Sequence, residues 1–198
     1  TEPGYNIGST KKPEYETIAA FGTMCMNDNL LSIFVLNDMC NRSGLDTIST
    51  GTVIAFSMEC FEQGILTKRD LDGIELKWGN SEAMIKLLSK IINREGIGDT
   101  LADGVKKAAE KIGKNSDKYA IHIGGQEPGF HNPLFAPGRA TGYVCDPTPG
   151  RHITGVMARL DGSAATIAPY PELKFPRYDR YDFVSKGEAS ATISAYWQ

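Results

Sequence analysis

Three groups of side chains in this sequence have types and spacings suited to chemistry. The first is Asp46, inside Cys-Asn-Arg-Ser-Gly-Leu-Asp-Thr-Ile-Ser-Thr-Gly at 40–51. A carboxylate offers two acceptor oxygens side by side. A planar ring with adjacent N–H groups, such as a 2-amino-pyrimidinone, matches them. The simpler alternative is capping, in which Asp accepts a free N–H from a helix's first turn, and the residues alone favour it. The second group is Glu16 with a distant histidine, an acid/base set of weak specificity. Glu14 and Glu16 read more simply as carboxylates offsetting the dipole at a helix start. The third is Pro149-Gly150-Arg151-His152, where glycine beside Arg and His lets an anionic ligand approach. A satisfied loop histidine is its plainer reading. The sequence contains no G-x-x-x-x-G-K-[ST], H-E-x-x-H or G-x-S-x-G motif.

These residues need elements to position them. Pro13 suits the first turn of a helix through Ala20, with Gly22 as its stop. Asn27 or Asp28 can cap a helix carrying Leu30, Ile33, Phe34 and Cys40. Gly44 falls where that helix should end, because glycine takes the left-handed conformation without steric cost. Asp46, Thr47 and Ser49 fall where the next should begin. That helix, about Thr47 to Gln63, is apolar nearly all round and therefore central. Glu59 inside it calls for a partner, with a salt bridge as the expected answer. Thr67–Leu71 suggests a short capped helix. Asn80 or Ser81 opens an amphipathic helix with Met84, Leu87, Leu88, Ile91 and Ile92 on one stripe, ended by Gly96 and Gly98. Asp99 caps one further helix through Leu101, Val105, Ala108, Ala109 and Ile112, stopped by Gly113.

Composition shifts near Lys114. Tyr119–Ile123 reads as a short strand, and glycine and proline dominate from Gly124 onward. His131, Arg139, Asp146, Arg151 and His152 all lie in this loop-rich stretch, and long ordered loops are commonly functional. Residues 188–196 read as a final helix. The expected fold is mainly α, with a helical domain at 1–119 and a loop-rich, partly helical domain at 120–198.

The chain has 198 residues, a net charge of -3 and 41% hydrophobic residues, which is an ordinary globular composition. There is no basic run interleaved with aromatics, so nucleic acid is not an expected partner. No apolar stretch reaches spanning length, so neither is a membrane. Cys25, Cys40, Cys60 and Cys145 form no C-x-x-C pair. They read as reduced packing thiols, which fits a cytoplasmic location. The start at Thr-Glu-Pro-Gly and the stop at Ala-Tyr-Trp-Gln suggest a piece of a longer protein.

Taken together, several stretches resemble the aldehyde ferredoxin oxidoreductase family of tungsten–pterin enzymes. They are Pro-Glu-Tyr-Glu-Thr (13–17), the 40–51 motif, Glu-Gln-Gly-Ile (62–65), Gly-Gln-Glu-Pro-Gly-Phe-His-Asn-Pro (125–133) and Pro-Gly-Arg-His (149–152). The resemblance is strong over 13–65, fair over 80–152 and weak beyond. It implies a parent enzyme with tungsten, or molybdenum, on two pyranopterins beside a 4Fe–4S cluster. Such an enzyme oxidises aldehydes to carboxylates and passes electrons to ferredoxin. It implies that the family's D-x-x-G-L-D/C pterin motif falls on Asn41, Gly44, Leu45 and Asp46. Asn41 stands where the family has aspartate. The resemblance also places the active-site glutamate at Glu16 and the active-site histidine at His152.

The family's β-rich pterin-base domain and its C-x-x-C-x-x-x-C cluster motif are absent from this sequence. The chain is thus expected to cover the second helical domain and part of the third, and to lack cofactor and activity by itself. The missing N- and C-terminal parts of its own chain are expected partners, with apolar surface left exposed where they would pack. Ferredoxin, a small aldehyde or acyl substrate and a second copy in a homo-oligomer complete the expected partners. Two alternatives stand beside the aldehyde reading. One is a family relative that reduces aromatic acyl-CoA. The other is a non-catalytic helical interaction module, which Asn41 favours.

Overall fold

The computed structural model describes residues 9–132, 143–144, 147–148 and 150–151. The chain divides into two compact units, Thr1–Phe130 and His131–Gln198. The described residues contain six α-helices and no strand, so the fold is mainly α as expected. The helices are α1 (Tyr15–Phe21), α2 (Leu30–Ser43), α3 (Thr47–Glu62), α4 (Ser81–Asn93), α5 (Ile97–Leu101) and α6 (Val105–Ile112).

The centre of the first unit is α3. Every residue from Thr50 to Met58 is buried, along with Cys60. Its three buried hydroxyls turn back onto their own helix. Thr50, Thr52 and Ser57 donate to the carbonyls of Asp46, Ile48 and Val53 at 2.6, 2.9 and 2.8 Å. No polar group on that stretch therefore needs a partner from outside. Each large apolar side chain buried there contributes about 1.5–3 kcal/mol. Around α3, the cluster takes in Phe21, Leu36, Leu71, Leu76, Met84, Leu87, Leu88 and Leu101, drawn from the other helices and connections.

Helix α1 lies against α3, and residue size governs how closely. A Cβ built on Gly51 would sit 2.6 Å from Ala20 Cβ and 3.1 Å from Ala20 Cα. Only glycine leaves room for that crossing.

Local signals place most helix ends. Gly44 closes α2 at φ 68°, and Asp46 caps α3 with Oδ1 accepting from Ser49 N at 2.7 Å. Asn80 caps α4 through Ala83 N at 3.1 Å, and Gly113 follows α6. Pro13 sits one residue before the Glu14 N-cap rather than inside α1.

Other expectations need correction. The cap of α2 is Asn29, not Asn27 or Asp28. Asn27 is buried and spends its amide on Phe21 O and Ser32 Oγ, at 3.0 and 2.9 Å. Residues 67–73 form turns rather than a helix. Asp70 Oδ2 accepts from both Thr67 N and Thr67 Oγ1, and the backbone then turns left-handed at Asp72 and Gly73. Helix α4 ends at Asn93, with Arg94 as its left-handed C-cap at φ 52°, before either glycine. The helix expected from Asp99 to Ile112 is two, because Gly104 breaks it at φ 89°. Tyr119–Ile123 is not a strand. It is a 3-10 turn at Ser116–Tyr119 followed by a single bridge between Ile123 and Gln126. Among the described residues Glu59 makes no ion pair, and its Oε1 accepts from Gln63 Nε2 one turn on, at 3.0 Å.

Candidate functional site

Glu16 is in the first turn of α1, where a carboxylate suits the helix dipole. Its Oε2 accepts the backbone N–H of Phe130 at 2.8 Å, across 114 positions. The preceding residue takes the other side of Phe130, with Tyr15 Oη donating to Phe130 O at 3.2 Å. Two neighbouring residues on α1 thus grip the N–H and the carbonyl of one distant residue. One turn of helix would not specify this, so sequence spacing gave no sign of it.

The same helix is joined to the corner between α2 and α3. Thr17 Oγ1 and Thr47 Oγ1 share a hydrogen bond of 2.8 Å, and Thr47 is the first residue of α3, directly after Asp46. Below it, the Gly51–Ala20 contact keeps the two helices close. Two of the stretches that carry the sequence resemblance, 13–17 and 40–51, and Phe130 of a third, 125–133, therefore meet around α1.

At the corner, Asn41, Gly44 and Asp46 are exposed and Leu45 is half-buried. Gly44 has nothing within 4 Å of where a Cβ would stand. Leu45 N donates back to Cys40 O at 2.9 Å, which closes the turn. Arg42 is held by Asp38 at 2.7 Å on the α2 surface. Asp46 Oδ1 is engaged by Ser49 N, but a carboxylate has about four lone-pair positions on its two oxygens. Capping and recognition of a ring edge are therefore compatible in this residue. An exposed amide, an exposed carboxylate and a bare glycine backbone fit the N–H-rich edge of a pterin. Among the described residues, no group of three or more His, Cys, Asp or Glu side chains converges to bind a metal ion directly.

Three thiols are part of the core of the first unit. Cys25, Cys40 and Cys60 are free and buried. Burial pushes the Cys25 and Cys40 thiols up to about 12 and that of Cys60 to about 11. Such thiols are neutral packing groups at ordinary pH. Cys25 Sγ lies 3.3 Å from Ala20 O, adding a contact at the α1–α3 crossing.

His152, Arg139, Asp146 and Cys145 lie outside the described residues. Gly150 is buried with φ 76°, and Arg151 is exposed. In the second unit, Tyr143 Oη donates to His131 O at 3.4 Å. Four large apolar side chains between 15 and 30 face outward: Tyr15, Ile18, Met26 and Leu30.

An α-helical unit whose exposed corner between α2 and α3 is hydrogen-bonded to the helix that carries Glu16 defines a broad class of helical domain. The family comparison makes it specific. All of residues 1–198 match the family model described as aldehyde ferredoxin oxidoreductase, domains 2 & 3. The chain belongs to the aldehyde ferredoxin oxidoreductase family. It is 37% identical over 152 residues to the tungsten-containing aldehyde ferredoxin oxidoreductase of Pyrococcus furiosus, covering 76% of this chain and 25% of that protein. It is 42% identical over 131 residues to the aliphatic sulfonate oxidoreductase, WOR-like subunit, of the same organism, covering 64% of this chain and 21% of that one. Among solved structures, it resembles a chain of the active-site complex BamBC of benzoyl-coenzyme A reductase with 1,5-dienoyl-CoA. The TM-score is 0.57 at 32% identity, over 70% of this chain and 22% of that one. The chain thus spans about a quarter of the length of the relatives it matches. No helix among the described residues is long and apolar enough to cross a membrane.

Proposed function

We propose that this chain forms the pterin-side corner and one wall of the substrate pocket in a tungsten–pterin oxidoreductase that converts aldehydes to carboxylates. The observation that carries this reading is the hydrogen bond between Glu16 and Phe130. It fixes a carboxylate on the helix that is locked to the corner.

Asn41, Gly44, Leu45 and Asp46 would hold a pterin edge, with Asp46 as the paired acceptor and Asn41 offering one acceptor and one donor. When bound, the tungsten–pterin group, or its molybdenum equivalent, supplies a two-electron oxidation, and a 4Fe–4S cluster passes the electrons singly to ferredoxin. Conversion of an aldehyde and water to a carboxylate releases two electrons and three protons. Glu16 takes a proton from the water that becomes the second carboxylate oxygen. The Phe130 N–H holds the Glu16 side chain in one orientation for that transfer. His152 donates a hydrogen bond to the substrate oxygen. The rest of the polypeptide packs over the outward apolar side chains of 15–30, and a second copy in a homo-oligomer and a cytoplasmic location complete the reading. Reduced thiols such as Cys25 persist in that compartment.

The structural likeness to the benzoyl-coenzyme A reductase complex favours a second reading, reduction of an aromatic acyl-CoA. Assays of the full-length protein with aldehydes and with benzoyl-CoA separate the two. Aldehyde-dependent reduction of ferredoxin supports the first, and acyl-CoA-dependent oxidation of reduced ferredoxin supports the second. Activity with neither substrate class rejects both.

A further inference from the structure

We infer that Glu127 is a positioning residue for Glu16, acting through Phe130. The inference rests on reading Glu16 as the pocket carboxylate. Helix α6 begins at Val105 after Gly104, which has no side chain to cap it. The cap comes from 22 residues further along, where Glu127 Oε1 accepts Val105 N at 2.7 Å. Glu127 is only 6% exposed, so its carboxylate is committed to this helix start. A Cβ on Gly104 would lie 2.9 Å from Glu127 Oε1, which shows how closely the carboxylate lies against the bare backbone.

Glu127 is the anchor of a short tether. Immediately before it, Ile123 and Gln126 exchange two backbone hydrogen bonds, at 2.8 and 3.1 Å, so the segment enters from a closed turn. Immediately after it come only Pro128 and Gly129. Proline fixes its own φ. Three residue steps reach at most about 10–11 Å. Phe130 therefore cannot drift far from the anchor, and its N–H and C=O meet Glu16 and Tyr15. α6 thereby sets the orientation of a carboxylate on α1 through a tether of two residues.

Backbone hydrogen exchange in the full-length protein tests this directly, in peptides covering 126–132, the start of α6 and α3. In Glu127→Ala, the Phe130 amide is expected to exchange about tenfold faster or more, while α3 amides keep their protection. Glu127→Gln retains an acceptor oxygen and is expected to restore protection at Phe130. If Glu127→Ala speeds exchange at Val105 alone and leaves Phe130 unchanged, Glu127 is merely a helix cap and the inference is overturned. Should the alanine variant not fold, Glu127→Asp, one methylene shorter, gives the same reading. Faster exchange at Phe130 supports the tether, and an unchanged Phe130 overturns it. The measurement needs no turnover, so a protein that is inactive on aldehydes refutes the proposed reaction without touching this result.

Discussion

Glu16 and Phe130 are joined by a 2.8 Å hydrogen bond from a backbone N–H to a carboxylate oxygen, across 114 positions of sequence. The contact gives a first-turn glutamate a fixed orientation beyond simple dipole compensation. In the full-length protein, Glu16→Gln is expected to lower kcat by about 10²- to 10⁴-fold, the range for loss of a general base. Metal and pterin content should stay near normal. Kinetics paired with elemental analysis check this, and loss of tungsten from the variant would reassign Glu16 to a structural role.

Asp46 carries two proposed duties that substitution can separate. Asp46→Asn keeps an oxygen for Ser49 N, so thermal stability should barely change, while the paired acceptor for a pterin edge is lost and cofactor content falls. Asp46→Ala should lose the cofactor and also about 1 kcal/mol of stability, the usual cost of removing a cap. Equal cofactor content in wild type and Asp46→Asn would leave capping as the residue's whole role.

The crossing of α1 and α3 should be intolerant of even one methyl group. Gly51→Ala puts a Cβ 2.6 Å from Ala20 Cβ, so the helices must separate and the Thr17–Thr47 hydrogen bond is stretched. Overpacking of this kind costs about 1–3 kcal/mol. Chemical denaturation of the two proteins measures it, with a lowered midpoint at unchanged slope as the expected result.

Stability should fall on both sides of neutral pH, for different groups. The Cys25 and Cys40 thiols are raised from 9.0 to about 12. Above pH 9 the unfolded chain loses thiol protons that the folded chain keeps, so stability falls as pH rises from 9 towards 12. On the acid side, Arg94 and Lys111 hold the Asp103 carboxyl below its usual range. That contribution is present above about pH 4 and is lost as pH falls through the lowered value. Urea titrations at pH 3, 7 and 10 check both limbs. Slow labelling of native thiols at pH 8 is the companion measurement.

The corner was legible from sequence because capping is local: Gly44, Asp46 and Ser49 lie within six residues and obey steric and hydrogen-bonding rules of their own. The buried length of α3 was legible for a related reason, since Val53 to Met58 is apolar on every side but for Ser57. Asn27 or Asp28 is the expected cap of α2, and the structure uses Asn29 instead. The choice falls to Asn29 because the buried amide of Asn27 serves Phe21 O and Ser32 Oγ. The break at Gly104 was hidden because the apolar spacing from Leu101 to Ile112 continues across it. It is stabilised by Glu127, which no local window contains. The grip on Phe130 was invisible for the same reason: it depends on where α6 and the tether deliver the chain. Family resemblance named Glu16, but only the fold shows what orients it.

The central claim, that Asn41–Asp46 is one half of a pterin cradle beside the Glu16 carboxylate, is tested most directly by composition. The full-length protein, purified without oxygen, should contain tungsten or molybdenum together with pterin and iron, and Asp46→Ala should lose the first two. A wild-type protein free of tungsten, molybdenum and pterin would contradict the claim and leave a helical interaction module in its place.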